Sequence, residues 1–191
     1  MEPYFLEHDK ILFYKFLDKA NTYFEFGSGG STYQAFIKNN VKKIYSVESD
    51  LDWHNKLKLI IGNADKINFI FNEMDVSPNN WGHSGPNSTS EQKIDYSSRI
   101  EYLSKEEKKA IDLVLIDGRF RVACCLKCFN EIDDDCFIIF DDFLNIEEYH
   151  IVLNYYYIVE KTEDCSMVVL KKKKISSVPV DLIKKYELIE N

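Results

Sequence analysis

The run Thr22-Tyr-Phe-Glu25-Phe-Gly27-Ser28-Gly29-Gly30-Ser31-Thr32 passes from a short apolar strand pattern into glycines and then into a helical pattern. Gly27 and Gly29 allow a turn that a Cβ would obstruct, and Gly30 with Ser31 lets backbone N–H groups face a ligand at a helix start. A second apolar run, Lys43-Ile-Tyr-Ser-Val47, ends in Glu48, 21 residues beyond Gly27, where a carboxylate accepts both hydroxyls of a ribose. A glycine turn alone would equally connect any strand to any helix. Joined to Glu48, it implies a nucleoside ligand.

The dinucleotide fingerprint wants a third glycine where Thr32 stands, which disfavours NAD. Glu25, at the strand's carboxyl end, suits a cationic amino group, such as that in the methionine part of S-adenosylmethionine. With Glu25-Phe-Gly27-Ser-Gly29 followed by Val47-Glu48, the chain resembles the class I S-adenosylmethionine-dependent methyltransferases, from about Tyr4 to Lys171. Ser31 stands where that family often has a further glycine. The resemblance implies a Rossmann-like α/β fold: a largely parallel seven-stranded sheet with a C-terminal antiparallel hairpin and helices on both faces. It also implies cofactor contacts from Glu25, Gly27, Ser28, Gly29, Ser31, Thr32, Glu48, Asp75 and Asp117. At the adenine amino group, Asn72 and Glu73 are alternatives to Asp75.

With 191 residues, 45% hydrophobic, the chain is expected to bury one core as a single domain, with a loop insertion at about 77–93 and a tail from about 172. Glu2, Glu7, His8 and Asp9 interrupt the apolar residues at the start, which argues against a signal peptide or membrane span and for a soluble, cytoplasmic protein. A net charge of −8 argues against an extended nucleic-acid surface, although a local basic groove stays open. Five cysteines without a secretory signal read as free thiols, and Cys124 and Cys128 share a helix face without zinc-finger spacing.

Along the chain, the apolar spacing predicts a helix over 4–20 and another over 31–39 capped by Ser31. A third helix should run from Asp50 to Ile61, stopped by Gly62. A strand follows at 67–71. The Ser-, Pro- and Gly-rich stretch from Ser77 to Lys93 reads as a loop, either a substrate-side lid anchored by a buried Trp81 or a disordered insert. Helices are expected over 98–109 and 122–130, strands over 112–116 and 136–140, and a helix over 145–153. A hairpin of 155–160 and 165–170 and a tail helix over 180–188 complete the pattern.

Asp117 and Asp141-Asp142 stand at the ends of two of these strands, where open α/β sheets hold their ligands. The arrangement looks like that of metal-dependent O-methyltransferases, which implies Asp117, Asp141 and Asp142 as ligands to Mg²⁺ or Mn²⁺. Phe120 replaces the lysine base of the catechol-type enzymes. Arg119 or Arg121 could instead supply the cation. The run Asp117-Gly-Arg119-x-Arg121, with Trp81-Gly82, is more similar to small bacterial and viral methyltransferase-like proteins, some linked to glycan modification. The two arginines suit a carboxylate or phosphate on an acceptor, or an internal ion pair with Asp117 or Asp141. The candidate catalytic residues are therefore Asp117, Arg119, Arg121 and His83, with O-methylation of a small hydroxylated acceptor, such as a sugar or sugar nucleotide, as the leading expectation. An NAD-dependent sugar oxidoreductase and a catalytically silent cofactor-binding module are the competing ones.

Overall fold

The computed structural model describes residues 1–77, 80–163 and 166–190. Part of the expected Ser77–Lys93 loop (78 and 79), the hairpin link at Asp164 and the strand start at Cys165 lie outside the described residues, as does the Cys165 thiol.

Seven strands form one sheet: β1 Thr22–Phe26, β2 Lys43–Glu48, β3 Ile67–Phe71, β4 Leu113–Ile116, β5 Phe137–Phe140, β6 Tyr156–Lys161 and β7 Val168–Lys172. Their order is β3-β2-β1-β4-β5-β7-β6. The first five are parallel, while β7 runs antiparallel to both β5 and β6. Strand order reverses between β1 and β4, the place where such sheets open a crevice at their carboxyl ends.

The parallel strands read as continuous apolar runs because both faces are covered. On one face Phe24, Phe26, Val114 and Ile116 pack with α6 (Arg121–Glu131) and with Tyr149 of a 3-10 helix at Glu147–Asn154. On the other, Tyr23, Leu113, Leu115 and Ile139 pack with α1 (Glu7–Leu17) and with Ala35 of α2 (Gly30–Ile37). The period-2 alternation of β1 therefore sends Glu25 to the α1/α2 face beside Tyr23. No helix of the described residues is long and apolar enough to cross a membrane.

Helix α3 (Leu51–Ile61) starts as expected, with the Asp50 carboxylate accepting from Trp53 N at 3.0 Å, and ends at Gly62, whose φ of 75° only glycine adopts freely. The cap of α2 differs from the expected Ser31. Gly29 holds the N-cap position, and Thr32 Oγ1 accepts from Gly29 N at 2.8 Å. The helix expected over 98–109 is also displaced. A capping box between Thr89 and Gln92 starts α4 (Ser90–Ser98) inside the stretch read as loop, and a second box between Ser104 and Glu107 starts α5 (Lys105–Ala110) after a turn. At the end of the chain α7 (Val180–Tyr186) packs on α6 through Ile183 and Tyr186.

Candidate functional site

Three non-glycine residues among those described take a positive φ: Trp81 at 51°, Phe120 at 53° and Asp142 at 59°. Phe120 and Asp142 follow the carboxyl ends of β4 and β5. Trp81 lies in the β3–α4 connection, whose His83 bonds Arg119. Strained backbone concentrated at one end of a parallel sheet marks that end as the site.

The two central loops interlock there. Gly27 has a φ of 92°, and a Cβ on it would stand 2.8 Å from Asp117 O and from Gly118. A Cβ on Gly118 would collide with the Tyr96 hydroxyl. Both glycines are required by close approach of β1 and β4. The contribution of Gly118 and Tyr96 was not legible in the sequence, because it arises from a contact between segments far apart in the chain.

Glu25 is fully buried, and its carboxylate accepts from four hydroxyls: Tyr23 at 2.8 Å, Ser31 at 2.8 Å, Ser46 at 2.6 Å, and Thr32. It ties the first turn of α2 to β1 and β2, where a carboxylate also favours the positive helix end. The expectation that Glu25 faces a ligand's amino group is corrected: its lone pairs are consumed beneath the loop. Burial lifts its pKa to about 7 against the pull of the hydroxyls. Ser31 and Thr32 likewise turn their hydroxyls inward to Glu25.

Glu48 ends β2 with Oε1 accepting from the amides of Ser49 at 2.7 Å and Asp50 at 2.8 Å. Its Oε2 accepts from Ser28 Oγ at 2.8 Å and Ser28 N at 3.3 Å. Trp53 Nε1 donates to Ser28 O at 2.8 Å, so the glycine loop is fastened to the start of α3. Burial raises the Glu48 pKa, opposed by these donors. A Cβ on Gly29 would meet nothing within 4 Å, which leaves the loop's outer side open at that point. Gly30, by contrast, abuts Glu2 O, where an added Cβ would sit at 2.1 Å, so the N-terminal segment lies across the start of α2.

Asp75 builds the loop that follows β3. Its Oδ2 accepts from Asn87 N at 2.9 Å, and its carbonyl accepts from Gly85 N at 2.7 Å and Ser88 Oγ at 2.5 Å. Asn72 is buried between Gln92 O and Arg99, whereas Glu73 is exposed. Trp81 was expected in an apolar pocket. Instead it is 72% exposed and meets only the rim, its ring 5.1 Å from that of Tyr4. The Trp81-Gly82 turn that carries it is left-handed, with Gly82 at a φ of 74°.

Around Asp117 the acids and arginines sort themselves. Arg121 is 4% exposed at its side chain and donates to Gly118 O at 3.0 Å, to Asp141 O at 2.7 Å and to Asp117 Oδ1 at 3.3 Å. It also pairs with Asp142 Oδ2 at 3.1 Å and packs over the Tyr149 ring. The internal ion pair is therefore the role of Arg121. Burial raises the Asp117 carboxyl, with Arg121 opposing. Burial, then the Asp117 charge, pushes Asp141 to about 9, and a hydrogen bond joins the two acids. Both carboxyls are thus raised by burial, which favours a shared proton between them.

The expected Mg²⁺ or Mn²⁺ site does not fit this arrangement. Among the described residues no group of three or more His, Cys, Asp or Glu is arranged to hold a metal ion, and the Arg121 guanidinium takes the place between the three carboxylates. Cys124, Cys125, Cys128 and Cys136 are free, buried thiols.

Arg119 points the other way. Its Nη1 lies 2.8 Å from His83 Nε2, and His83 Nδ1 lies 3.4 Å from Glu190 Oε1. Glu190 also accepts from Ser84 N at 2.7 Å and from the Ser84 hydroxyl. Glu190 carried no signal in the sequence, being one more acid in a lysine- and glutamate-rich tail.

The sheet order, the reversed hairpin and the two interlocked loops together define the class I methyltransferase fold. The chain is similar to a methyltransferase-like protein of Silicibacter pomeroyi with a TM-score of 0.81 and 23% identity, covering 97% of this chain and 94% of that one. It also resembles the tRNA methyltransferase TrmK of Bacillus subtilis (TM-score 0.54, 11% identity, 88% of this chain and 67% of that one). The tRNA methyltransferase TrmI of Aquifex aeolicus is similar at a TM-score of 0.54 and 12% identity, over 90% of this chain and 70% of that one. No family model and no curated protein matches the sequence, so these likenesses rest on the fold.

Proposed function

We propose that this protein is an S-adenosylmethionine-dependent O-methyltransferase acting on a small hydroxylated acceptor of the sugar or sugar-nucleotide kind. The single observation that carries the reading is the buried Glu48 carboxylate at the end of β2, facing a glycine loop that interlocks with Gly118 at the sheet's switch point. The residues fit the cofactor: a carboxylate for a ribose diol once the Ser28 hydroxyl gives way, and a glycine loop open at Gly29 for a charged amino-acid end. S-adenosylmethionine, when bound, supplies a methyl group made electrophilic by its sulfonium.

The chain's own task is to hold the acceptor oxygen in line and to take its proton. Asp117 is the group for this, since its side chain is 30% exposed and its raised pKa makes it a better base than a free aspartate. Asp141, hydrogen-bonded to it, and Arg121 fix the orientation of that carboxylate. Asp117 would accept the hydroxyl proton of the acceptor, and the bound cofactor would supply the methyl group. A net charge of −8 favours a small acceptor over an RNA, although two similar folds belong to tRNA methyltransferases.

Calorimetry with S-adenosylhomocysteine and with NAD is the test, followed by transfer of a labelled methyl group to a panel of hydroxylated sugars. Micromolar binding of the former, about −8 kcal/mol, is expected, with none of the latter. Preference for NAD would overturn the reading.

A further inference from the structure

We propose that Arg119 is the binding site for an oxyanion, carboxylate or phosphate, and that His83 and Glu190 hold its guanidinium ready for it. That this oxyanion belongs to the acceptor rests on the methyl-transfer reading above.

The chain has three arginines against 32 acidic residues. Arg99 is paired with Asp95, and Arg121 with Asp117, Asp141 and Asp142. Arg119 alone has no carboxylate within ion-pair distance among the described residues. Its side-chain partner is an imidazole. A guanidinium only donates, so His83 Nε2 must accept, and the His83 proton must sit on Nδ1, facing Glu190. Burial and the neighbouring Arg119 charge both push the His83 pKa down, in keeping with a neutral ring. A neutral partner orients the guanidinium without cancelling its charge, which an aspartate in the same place would do.

The rest of the fork has no protein partner among the described residues. Arg119 Nε is buried and has no hydrogen-bond partner among the described residues, an unmet donor that a ligand oxygen would satisfy. One N–H edge bonded to His83 leaves a second edge for the bidentate geometry that carboxylates and phosphates share. The Arg119 charge reaches Asp117, so a group anchored at the guanidinium lies near the proposed base. The loop that carries His83 is fixed by Glu190 through Ser84, and the exposed faces of Trp81 and Tyr4 stand on the same rim as a surface for a sugar ring.

The test uses the full chain and two simple probes, inorganic phosphate and acetate, followed by nitrogen-15 NMR at the Arg119 Nε–H and the Gly118 and Ser84 amides. A saturable shift with either probe, at a Kd of about 1–10 mM, is expected of one charge-assisted contact. Arg119→Met should abolish it, and Arg119→Lys should weaken it by about tenfold, keeping the charge and losing the fork. Retained S-adenosylhomocysteine binding shows that both variants are folded. Glucuronate and glucose 1-phosphate, compared with glucose, then tell a carboxylate source from a phosphate source. No saturable response to phosphate or acetate, or an undiminished one in Arg119→Met, overturns the proposal. If S-adenosylhomocysteine fails to bind the native chain while the probes still saturate at Arg119, the methyl-transfer reading falls and the oxyanion site stands.

Discussion

Ser28 donates its hydroxyl to Glu48 Oε2 at 2.8 Å and thereby occupies the carboxylate that a ribose would need. With the amides of Ser28, Ser49 and Asp50, the four acceptor positions of that carboxylate are filled. A ribose must displace the Ser28 hydroxyl. Removing the competitor in Ser28→Ala should tighten S-adenosylhomocysteine binding about three- to tenfold, the net value of one hydrogen bond. Glu48→Ala should weaken it severely. Weaker binding in Ser28→Ala, read by calorimetry, would mean that the hydroxyl itself serves the ligand and would sink this account.

Glu25 makes stability depend on pH in a direction that can be worked out. Its folded pKa is raised from 4.5 to about 7, so the folded chain binds this proton more tightly than the unfolded one. The resulting stabilisation is complete below pH 4.5, declines as pH rises through about 7 and is gone above it, a span of about 3 kcal/mol. Glu25→Gln should remove that slope between about pH 4.5 and 7, the interval between the unfolded and folded pKa. Urea unfolding of both proteins at several pH values measures it, and identical pH profiles would refute it.

The fold was largely legible because strand ends and glycines are local signals. Asp50 and Gly62 mark α3 by their own chemistry, and the run Ile67–Phe71 coincides with β3. The boundaries that shifted were set by capping boxes at Thr89 and Ser104, whose reach across three residues outweighed the weak apolar periodicity of 98–109. In the site, spacing brought Gly27, Glu48 and Asp117 to one sheet end. It could not show which way Glu25 turns, since strand alternation places it only once the covered faces are known. Nor could it divide the labour between Arg119 and Arg121. That division depends on Arg121 standing at the start of α6, where it reaches back to Gly118 O and Asp141 O.

Arg121 should behave as the internal cation of the acid cluster. Breaking a buried ion pair by removing one partner costs about 3–5 kcal/mol, so Arg121→Met should lower the unfolding free energy by that order. Methyl transfer should persist in the presence of a chelator, because Arg121 stands among the acids where an ion would have to sit. Asp117→Asn should abolish transfer while leaving S-adenosylhomocysteine bound. Activity that is lost in chelator and restored by Mg²⁺ would show that the carboxylates rearrange around a metal.

Trp81 carries the last prediction, because its exposure inverts the usual consequence of deleting a tryptophan. A buried indole removed from a core costs about 3–5 kcal/mol, whereas an exposed side chain away from caps and ion pairs changes stability by about 0.5 kcal/mol or less. At 72% exposure, with Tyr4 as its ring partner, Trp81 belongs to the second case. Its left-handed backbone at a φ of 51° is nevertheless a cost that the turn carries in order to present the ring on the rim of the site. Trp81→Ala should therefore unfold at nearly the native denaturant midpoint and bind S-adenosylhomocysteine as the native chain does. KM for the acceptor should rise about tenfold with kcat little changed, the signature of lost uniform binding. Tyr4→Ala should show a smaller effect of the same sign. A stability loss above about 2 kcal/mol would place the indole in a packed interior, where a Trp→Ala change has that size. Equal loss of cofactor and acceptor binding would make the turn part of the cofactor site instead.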